Sequence, residues 1–106
     1  MSHRYRGLIV AVHTPFFTDG RLNLDVVAAQ AELLHRAGVE GVFVGGTTGE
    51  SHSLTVEERM QLATRWIDVT AGTPQQVIVH VGHNCLAEAV ALARHAAEVG
   101  AHGVAP

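Results

Sequence analysis

Three short apolar runs, each followed by a longer amphipathic stretch, divide the chain into repeated units. The runs cover residues 7–13 (GLIVAVH), 41–44 (GVFV) and 76–82 (QVIVHVG), and their many β-branched residues are typical of strands buried on both faces. A fourth strand is predicted to start at residues 103–105 (GVA). Because a helix has to carry the chain back over the sheet, strands that alternate with helices are expected to pair in parallel.

Capping and terminating residues place three helices between these strands. Asn23 is suited to cap the first helix and Gly38 to end it. Thr55 and Glu58 have the spacing of a capping box, which predicts the start of the second helix. The third helix is predicted over residues 86–99. The positions expected to face the sheet are Val26, Val27, Ala29, Leu33 and Leu34 in the first helix, Leu62, Trp66 and Ile67 in the second, and Leu86, Val90, Ala93 and Ala97 in the third.

The spacing of the repeated units limits the fold to two α/β architectures. Strand starts lie roughly 26 to 36 residues apart, and eight such units would fill about 250 residues, the usual length of a (β/α)8 barrel. An open, doubly wound sheet with helices on both faces satisfies the same alternation. Spacing alone does not decide between the barrel and the doubly wound sheet.

The amino-acid composition narrows the classes of function. A chain of 106 residues, 47% of them apolar, is long enough for one small domain. The net charge is −3 and the seven basic residues are scattered, which argues against nucleic acid as a partner. All seven are arginines, so the chain contains no lysine. The apolar run before Pro15 is too short for a signal peptide or a membrane span, and we expect a cytoplasmic protein with no membrane partner. The single cysteine, Cys85, fits a reducing compartment and is expected to be a small apolar filler.

A glycine-rich stretch at residues 45–51 (GGTTGES) follows the second predicted strand, at the end where parallel α/β folds bind their ligands. Glycines expose backbone N–H groups and the hydroxyls of Thr47 and Thr48 add donors, which predicts a nest for a carboxylate or a small oxyanion. A phosphate-binding loop would need a lysine after its last glycine, where Glu50 stands instead. An ordinary tight turn between strand and helix is the alternative.

Histidine and charged residues elsewhere give weaker indications. The spacing of His80, His83 and Cys85 could suggest a metal site, but the first lies in a strand and the other two in a loop. No Cys-x2-Cys or His-Glu-x2-His partner occurs in the sequence, so no metal is predicted. Glu57 and Arg59 are expected to be solvated helix charges.

A series of short motifs runs along nearly the whole chain. They are GLIVA at 7–11, TPF at 14–16, DG at 19–20, GVEG at 38–41, GTTGES at 46–51, SL at 53–54, ER at 58–59 and GAHG at 100–103. In this order they resemble the amino-terminal part of the N-acetylneuraminate lyase and dihydrodipicolinate synthase family. HVG at 80–82 is closer to the lyases that cleave sialic acid, because the synthases usually have a glycine-rich stretch without that histidine.

The resemblance implies both a fold and a reaction. The fold is a (β/α)8 barrel, of which residues 1–106 would supply the first three β/α units and the start of strand 4, as the amino-terminal part of one aldolase-type domain. The reaction is that of a class I aldolase, in which a barrel lysine forms a Schiff base with pyruvate and a tyrosine from a later strand shuttles protons, without a cofactor. Paired hydroxyl residues after the second strand hold the pyruvate carboxylate, and these match Thr47 and Thr48. A homo-oligomer, a tetramer, is expected at full length.

The leading hypothesis is a lyase that cleaves N-acetylneuraminate to N-acetylmannosamine and pyruvate. The chain by itself is expected to be inactive, because the family's lysine and tyrosine belong to strands beyond Pro106. A dihydrodipicolinate synthase or another 2-keto acid aldolase is the first alternative, and a non-catalytic truncated α/β domain is the second.

Overall fold

Four parallel strands and three α-helices alternate along the part of the chain that the structure describes. The computed structural model describes residues 8–46, 54–83 and 85–106. The strands are β1 (Leu8–Ala11), β2 (Val39–Val44), β3 (Gln76–His80) and β4 (Gly103–Ala105). The helices are α1 (Val27–Arg36), which continues a 3-10 turn at Leu24–Val26, α2 (Val56–Thr70) and α3 (Leu86–Val99). None of these helices is long and apolar enough to span a membrane.

The order of the strands favours one of the two folds that the spacing left open. The described strands lie in the order β1-β2-β3-β4, and every neighbouring pair is parallel, as predicted. In a doubly wound sheet the strand order reverses at a switch point. One pair of strands that are consecutive in the chain is therefore not adjacent in the sheet. A barrel keeps each strand beside its chain neighbour. The observed order is therefore that of consecutive barrel strands.

Local sequence signals set the ends of the helices. Thr55 Oγ1 accepts a hydrogen bond from the backbone N–H of Glu58 at 3.1 Å, and Glu58 Oε1 accepts from the N–H of Thr55 at 2.9 Å, which confirms the capping box. Asn23 Oδ1 accepts from the N–H of Asp25 at 3.2 Å, so Asn23 caps the 3-10 turn that leads into α1. Gly100 ends α3 with a φ of 92°, a left-handed conformation that residues with a side chain rarely adopt.

The hydrophobic core lies between one face of the sheet and the helices. Val77 and Val79 of β3, and Val81 just beyond it, are buried there together with Leu62 and Trp66 of α2. Consecutive strand residues point to opposite faces of a sheet. The residues between these valines therefore face the other side, which in a barrel is the lumen.

The buried side of α3 differs from the predicted one. Leu92 and Ala96 are buried, whereas Leu86 is 79% exposed and Val90 is 45% exposed. The prediction holds for Ala93, which packs against the core, and was wrong for Leu86 and Val90. Because α3 is rich in alanine and apolar on most of its circumference, several faces fit a helical period. The packing of α3 against α2 selects the face that is buried.

The first strand and the first helix also expose residues that were expected to be buried. Leu8 of β1 is 59% exposed and Leu33 of α1 is 67% exposed, while Val27 and Ala31 form the buried side of α1. Among the described strands, β1 lies at the edge of the sheet and pairs with β2 alone. Burial on both faces, expected for a complete barrel, is therefore absent at this edge.

We expect Trp66→Ala to be strongly destabilising, because Trp66 is the largest side chain that is fully buried among the described residues. Such truncations cost about 3–5 kcal/mol, a large share of the roughly 5–15 kcal/mol that stabilises a domain. Urea unfolding followed by far-ultraviolet circular dichroism would measure the loss. Trp66→Phe is the matched control with a smaller cost, since the indole N–H has no hydrogen-bond partner among the described residues. A loss below about 1 kcal/mol for Trp66→Ala would contradict the observed burial.

Candidate functional site at the carboxyl edge of the sheet

The predicted carboxylate nest begins where β2 ends. Thr47 and Thr48, the residues expected to bind the carboxylate, lie outside the described residues, as does Glu50. Gly45, the first glycine of this stretch, is described and has a φ of 77°. Only glycine adopts that conformation without strain, so Gly45 allows the sharp turn at the end of β2 that the sequence predicted.

Phe43 of β2 packs on the backbone of Gly46. A Cβ atom at position 46 would lie 2.4 Å from the Phe43 ring, so any larger residue would have to displace the ring. Phe43 is on the lumen side of the sheet, between the core residues Val42 and Val44. The contact between Phe43 and Gly46 therefore places the start of the glycine-rich stretch next to the lumen face.

His80 ends β3 on the same face and at the same edge. Its ring centroid lies 5.9 Å from that of Phe43, with an interplanar angle of 51°. Gly82 leaves room for the imidazole, because a Cβ atom there would lie 2.7 Å from His80 Cε1 and 3.1 Å from the carbonyl carbon of Pro106. The carboxyl edge thus brings His80 and Phe43 close to Gly46, where a parallel barrel binds its ligands.

The surroundings of His80 favour the neutral imidazole. Partial burial lowers the pKa of His80, and the nearby charge of Arg59 lowers it further. The backbone carbonyls of Pro106 and Ala105 act in the opposite direction, with a smaller effect. His80 Nδ1 is buried and has no hydrogen-bond partner within the described part of the chain. His80 therefore presents a polar imidazole with a lowered pKa on the lumen face.

We expect the titration of His80 to make the folded chain less stable in mild acid. Its folded pKa lies below the value of about 6.5 in the unfolded chain, so the unfolded state binds more protons in the interval between them. This contribution to stability is present above about pH 6.5 and is lost as the pH falls through the folded pKa. NMR titration of the imidazole C–H signals would measure the pKa. His80→Gln should flatten this part of the pH dependence, and a folded pKa at or above the usual value would contradict the expectation.

Arg59 contributes to this edge in a way that the sequence did not indicate. It was expected to be a solvated charge, but it is only 5% exposed. One guanidinium nitrogen donates to the carbonyl oxygen of Gly82 at 2.8 Å, and another donates to that of His80 at 2.9 Å. Arg59 precedes Leu62 and Trp66 by three and seven residues, which places it on the buried side of α2 and was the signal that could have revealed it. Burial lowers the pKa of Arg59, yet an arginine stays protonated in proteins.

The neighbouring histidine and cysteine form a local turn at the start of α3. His83 Nδ1 accepts from the backbone N–H of Cys85 at 2.9 Å, and His83 Nε2 lies 2.8 Å from a carboxylate oxygen of Glu88. Cys85 is exposed, so its expected role as an apolar filler is wrong. Its position at the amino end of α3, outside the core, is the reason. In the described segments no three histidine, cysteine or acidic residues are grouped as metal ligands would be.

Comparison with known proteins gives one consistent result. The model of the dihydrodipicolinate synthetase family matches residues 4–106. The N-acetylneuraminate lyase of Danio rerio is 45% identical over 98% of this chain, and the match covers 35% of that lyase. The chain therefore spans about a third of the length of the curated relatives it matches.

Solved structures agree in fold as well as in sequence. The Proteus mirabilis N-acetylneuraminate lyase matches with a TM-score of 0.91 and 39% identity, over 96% of this chain and 34% of that one. YagE of Escherichia coli K12, a member of the dihydrodipicolinic acid synthase family solved in complex with pyruvate, matches with a TM-score of 0.87 and 36% identity, over 92% of this chain and 33% of that one. The described strands and helices thus have the arrangement of the amino-terminal part of a (β/α)8 barrel, as predicted.

Proposed function

Because the chain belongs to the dihydrodipicolinate synthetase family, whose members include carbon–carbon lyases and class I aldolases, we propose that it forms part of a pyruvate-dependent aldolase that cleaves N-acetylneuraminate. The observation that carries the proposal is the position of His80 at the carboxyl edge, beside Phe43, whose ring packs on Gly46. Ligands of parallel barrels bind at that edge. His80 belongs to the HVG motif by which the sequence resembles the sialic acid lyases.

The proposed chemistry divides between this chain and the later strands of the barrel. A lysine from a later strand attacks the keto carbon of the substrate and loses water to give a protonated imine, which accepts the electron pair of the breaking C–C bond. The tyrosine of a later strand takes the proton of the hydroxyl group on the carbon that is lost, so N-acetylmannosamine leaves as the aldehyde and the imine becomes an enamine. Protonation of the enamine carbon regenerates the imine, and its hydrolysis returns pyruvate and the lysine amine. The residues of this chain bind the substrate: Thr47 and Thr48 hold the carboxylate, with backbone N–H groups of the glycine-rich stretch beside them. The pyruvate complex of YagE supports a 2-keto acid as the ligand.

Two alternatives lead to different experimental results. A dihydrodipicolinate synthase shares the carboxylate nest, and the dihydrodipicolinate synthase of Aquifex aeolicus, 38% identical to this chain, favours it nearly as strongly as the lyase match does. A synthase would bind pyruvate but would not cleave N-acetylneuraminate. A non-catalytic α/β domain would neither bind pyruvate nor cleave N-acetylneuraminate.

The test uses a completed barrel, in which residues 1–106 are fused to the part of the Proteus mirabilis lyase that this chain does not match. We expect the completed barrel to release pyruvate from N-acetylneuraminate, measured by coupling to lactate dehydrogenase. The Proteus mirabilis lyase itself is the positive control. A folded completed barrel that binds pyruvate but does not cleave N-acetylneuraminate would favour the synthase alternative.

In the completed barrel, Thr47→Ala and Thr48→Ala should each impair the use of pyruvate. Each lost hydrogen bond to the substrate carboxylate costs roughly 1.5–3 kcal/mol. The value of kcat/KM for N-acetylneuraminate should therefore fall about ten- to a hundredfold. Thr47→Ser and Thr48→Ser, which keep the hydroxyl group, are the matched controls and should retain most of the activity. Unchanged kinetics in both alanine variants would leave the ordinary turn as the better interpretation of this stretch.

We also propose the cellular setting and the oligomeric state of the enzyme. A small-molecule 2-keto acid or sialic acid is the proposed partner, acted on by a cytoplasmic homo-oligomer. The single cysteine is in keeping with a reducing compartment. Sedimentation of the completed barrel would test the proposed tetramer.

A further inference from the structure

The carboxyl end of β3 has two carbonyl groups that β2 does not reach. The ladder between the two strands ends with Val44 opposite Val79. Beyond it, the N–H of Val81 donates to the carbonyl of Ala105 at 2.8 Å, so Val81 faces β4. Successive residues of a strand direct their backbone groups to opposite sides. The carbonyls of the residues on either side of Val81 therefore point to the side that β2 has left.

Arg59 supplies the donors for these two carbonyls. The carbonyls belong to His80 and Gly82, and the guanidinium donates to them at 2.9 Å and 2.8 Å. A buried carbonyl without a donor is costly, so a substitute for the missing strand is needed at this point. The planar fork of the guanidinium bridges both acceptors at once. Arg59 thus supplies donors at the point where β2 has turned away at Gly45 and the chain runs on past the end of β3.

We propose that Arg59 is a positioning residue for the reaction: its guanidinium takes the place of a continued β2 and holds the end of β3, so that the His80 ring stays at the substrate end of the lumen. This inference rests on the proposed lyase function. Arg59 acts through the backbone of His80 and Gly82, and the ring of His80 lies beside that of Phe43 in space that Gly82 leaves open. Small displacements at a site of this kind are costly for a reaction that depends on orientation.

Arg65 provides a matched control on the same helix. Its Nε donates to the carbonyl oxygen of Leu24 at 3.2 Å, so it also reaches from α2 to a backbone acceptor, but it contacts the turn before α1 and not the end of β3. Truncation of either arginine removes a side chain that packs and donates. Only Arg59→Ala should disturb the carboxyl edge.

The first measurement is the activity of the completed barrel. We expect Arg59→Ala to lower kcat/KM for N-acetylneuraminate by about ten- to a hundredfold, and Arg65→Ala to leave it within about twofold at a temperature where both are folded. Millimolar guanidinium should restore part of the activity of Arg59→Ala. Because the variants are compared at a temperature where each is folded, a gain in activity reports the restored bridge between the two carbonyls and not a larger amount of folded protein. Arg59→Lys should be intermediate, since an ammonium lacks the planar fork.

The second measurement follows the His80 ring by NMR in the 106-residue chain. Arg59→Ala should shift the His80 resonances and raise the pKa of the ring, whereas Arg65→Ala should change neither. Equal losses of activity in the two alanine variants, without rescue by guanidinium, would overturn the proposal and leave Arg59 a purely structural residue. A wild-type completed barrel that folds but has no activity would refute the proposed lyase function, while the NMR comparison would still decide whether Arg59 positions His80.

Discussion

Treated with pyruvate and borohydride, the 106-residue chain should gain no mass on any side chain, whereas the completed barrel should gain one stoichiometric adduct. A class I aldolase needs a lysine amine to form the imine, and every basic residue of this chain other than histidine is an arginine. An arginine stays protonated and does not serve as the nucleophile. Borohydride reduces the imine, so the adduct adds the mass of pyruvic acid less one oxygen atom. Intact-protein mass spectrometry would measure this all-or-none difference.

The α-amino group at Met1 is the group to control for. It too can form an imine, so the adduct must be located by peptide mapping. Acetylation of the amino terminus before treatment removes this background. A stable adduct on an internal residue of the 106-residue chain would contradict the assignment of Schiff-base chemistry to the later strands. Failure of the completed barrel to form an adduct would count against the aldolase proposal itself.

Much of the fold follows from interactions within a few residues of each other. The capping box of Thr55 and Glu58 needs only its own four-residue spacing, and the structure contains it as predicted. The third helix has the predicted limits, Leu86–Val99, because Gly100 provides a local stop signal. The second strand begins at Val39, earlier than the predicted Gly41, since pairing with β1 extends it. Strand ends depend on neighbouring strands and are therefore harder to predict.

The two residues that define the edge of the site illustrate what sequence reasoning misses. His80 was noted for its motif, but its position beside Phe43 depends on the pairing register of β2 and β3. Arg59 was misjudged because charged helix residues are usually exposed. It is buried where the described ladder between β2 and β3 has ended, and there its guanidinium donates to the carbonyls of His80 and Gly82. A contact between α2 and β3 of this kind depends on tertiary structure, which local patterns do not specify.

We expect the 106-residue chain on its own to associate with itself. A complete barrel has no free strand edges, whereas β1 and β4 are both edge strands of the described sheet. Large apolar side chains are exposed at the first and last elements of the described sheet and helices: Leu8 59%, Leu33 67%, Leu86 79%, Val90 45% and Val104 50%. Each Å² of apolar surface removed from water contributes roughly 25 cal/mol, which favours contacts between copies. Sedimentation velocity at micromolar to millimolar concentrations should show dimers or larger species.

The matched control for this association is the double variant Leu33→Glu with Leu86→Glu. Both side chains are exposed in the single chain, so the substitutions should cost little folding stability while like charges oppose association. Hydrogen exchange of the strand amides, measured on the same samples, reports whether β1 and β4 are protected. If the unmodified chain is instead a monomer whose strand amides exchange only through global unfolding, the edges need no partner. The 106 residues would then be a domain in their own right, and the non-catalytic alternative would become the better explanation of this sequence.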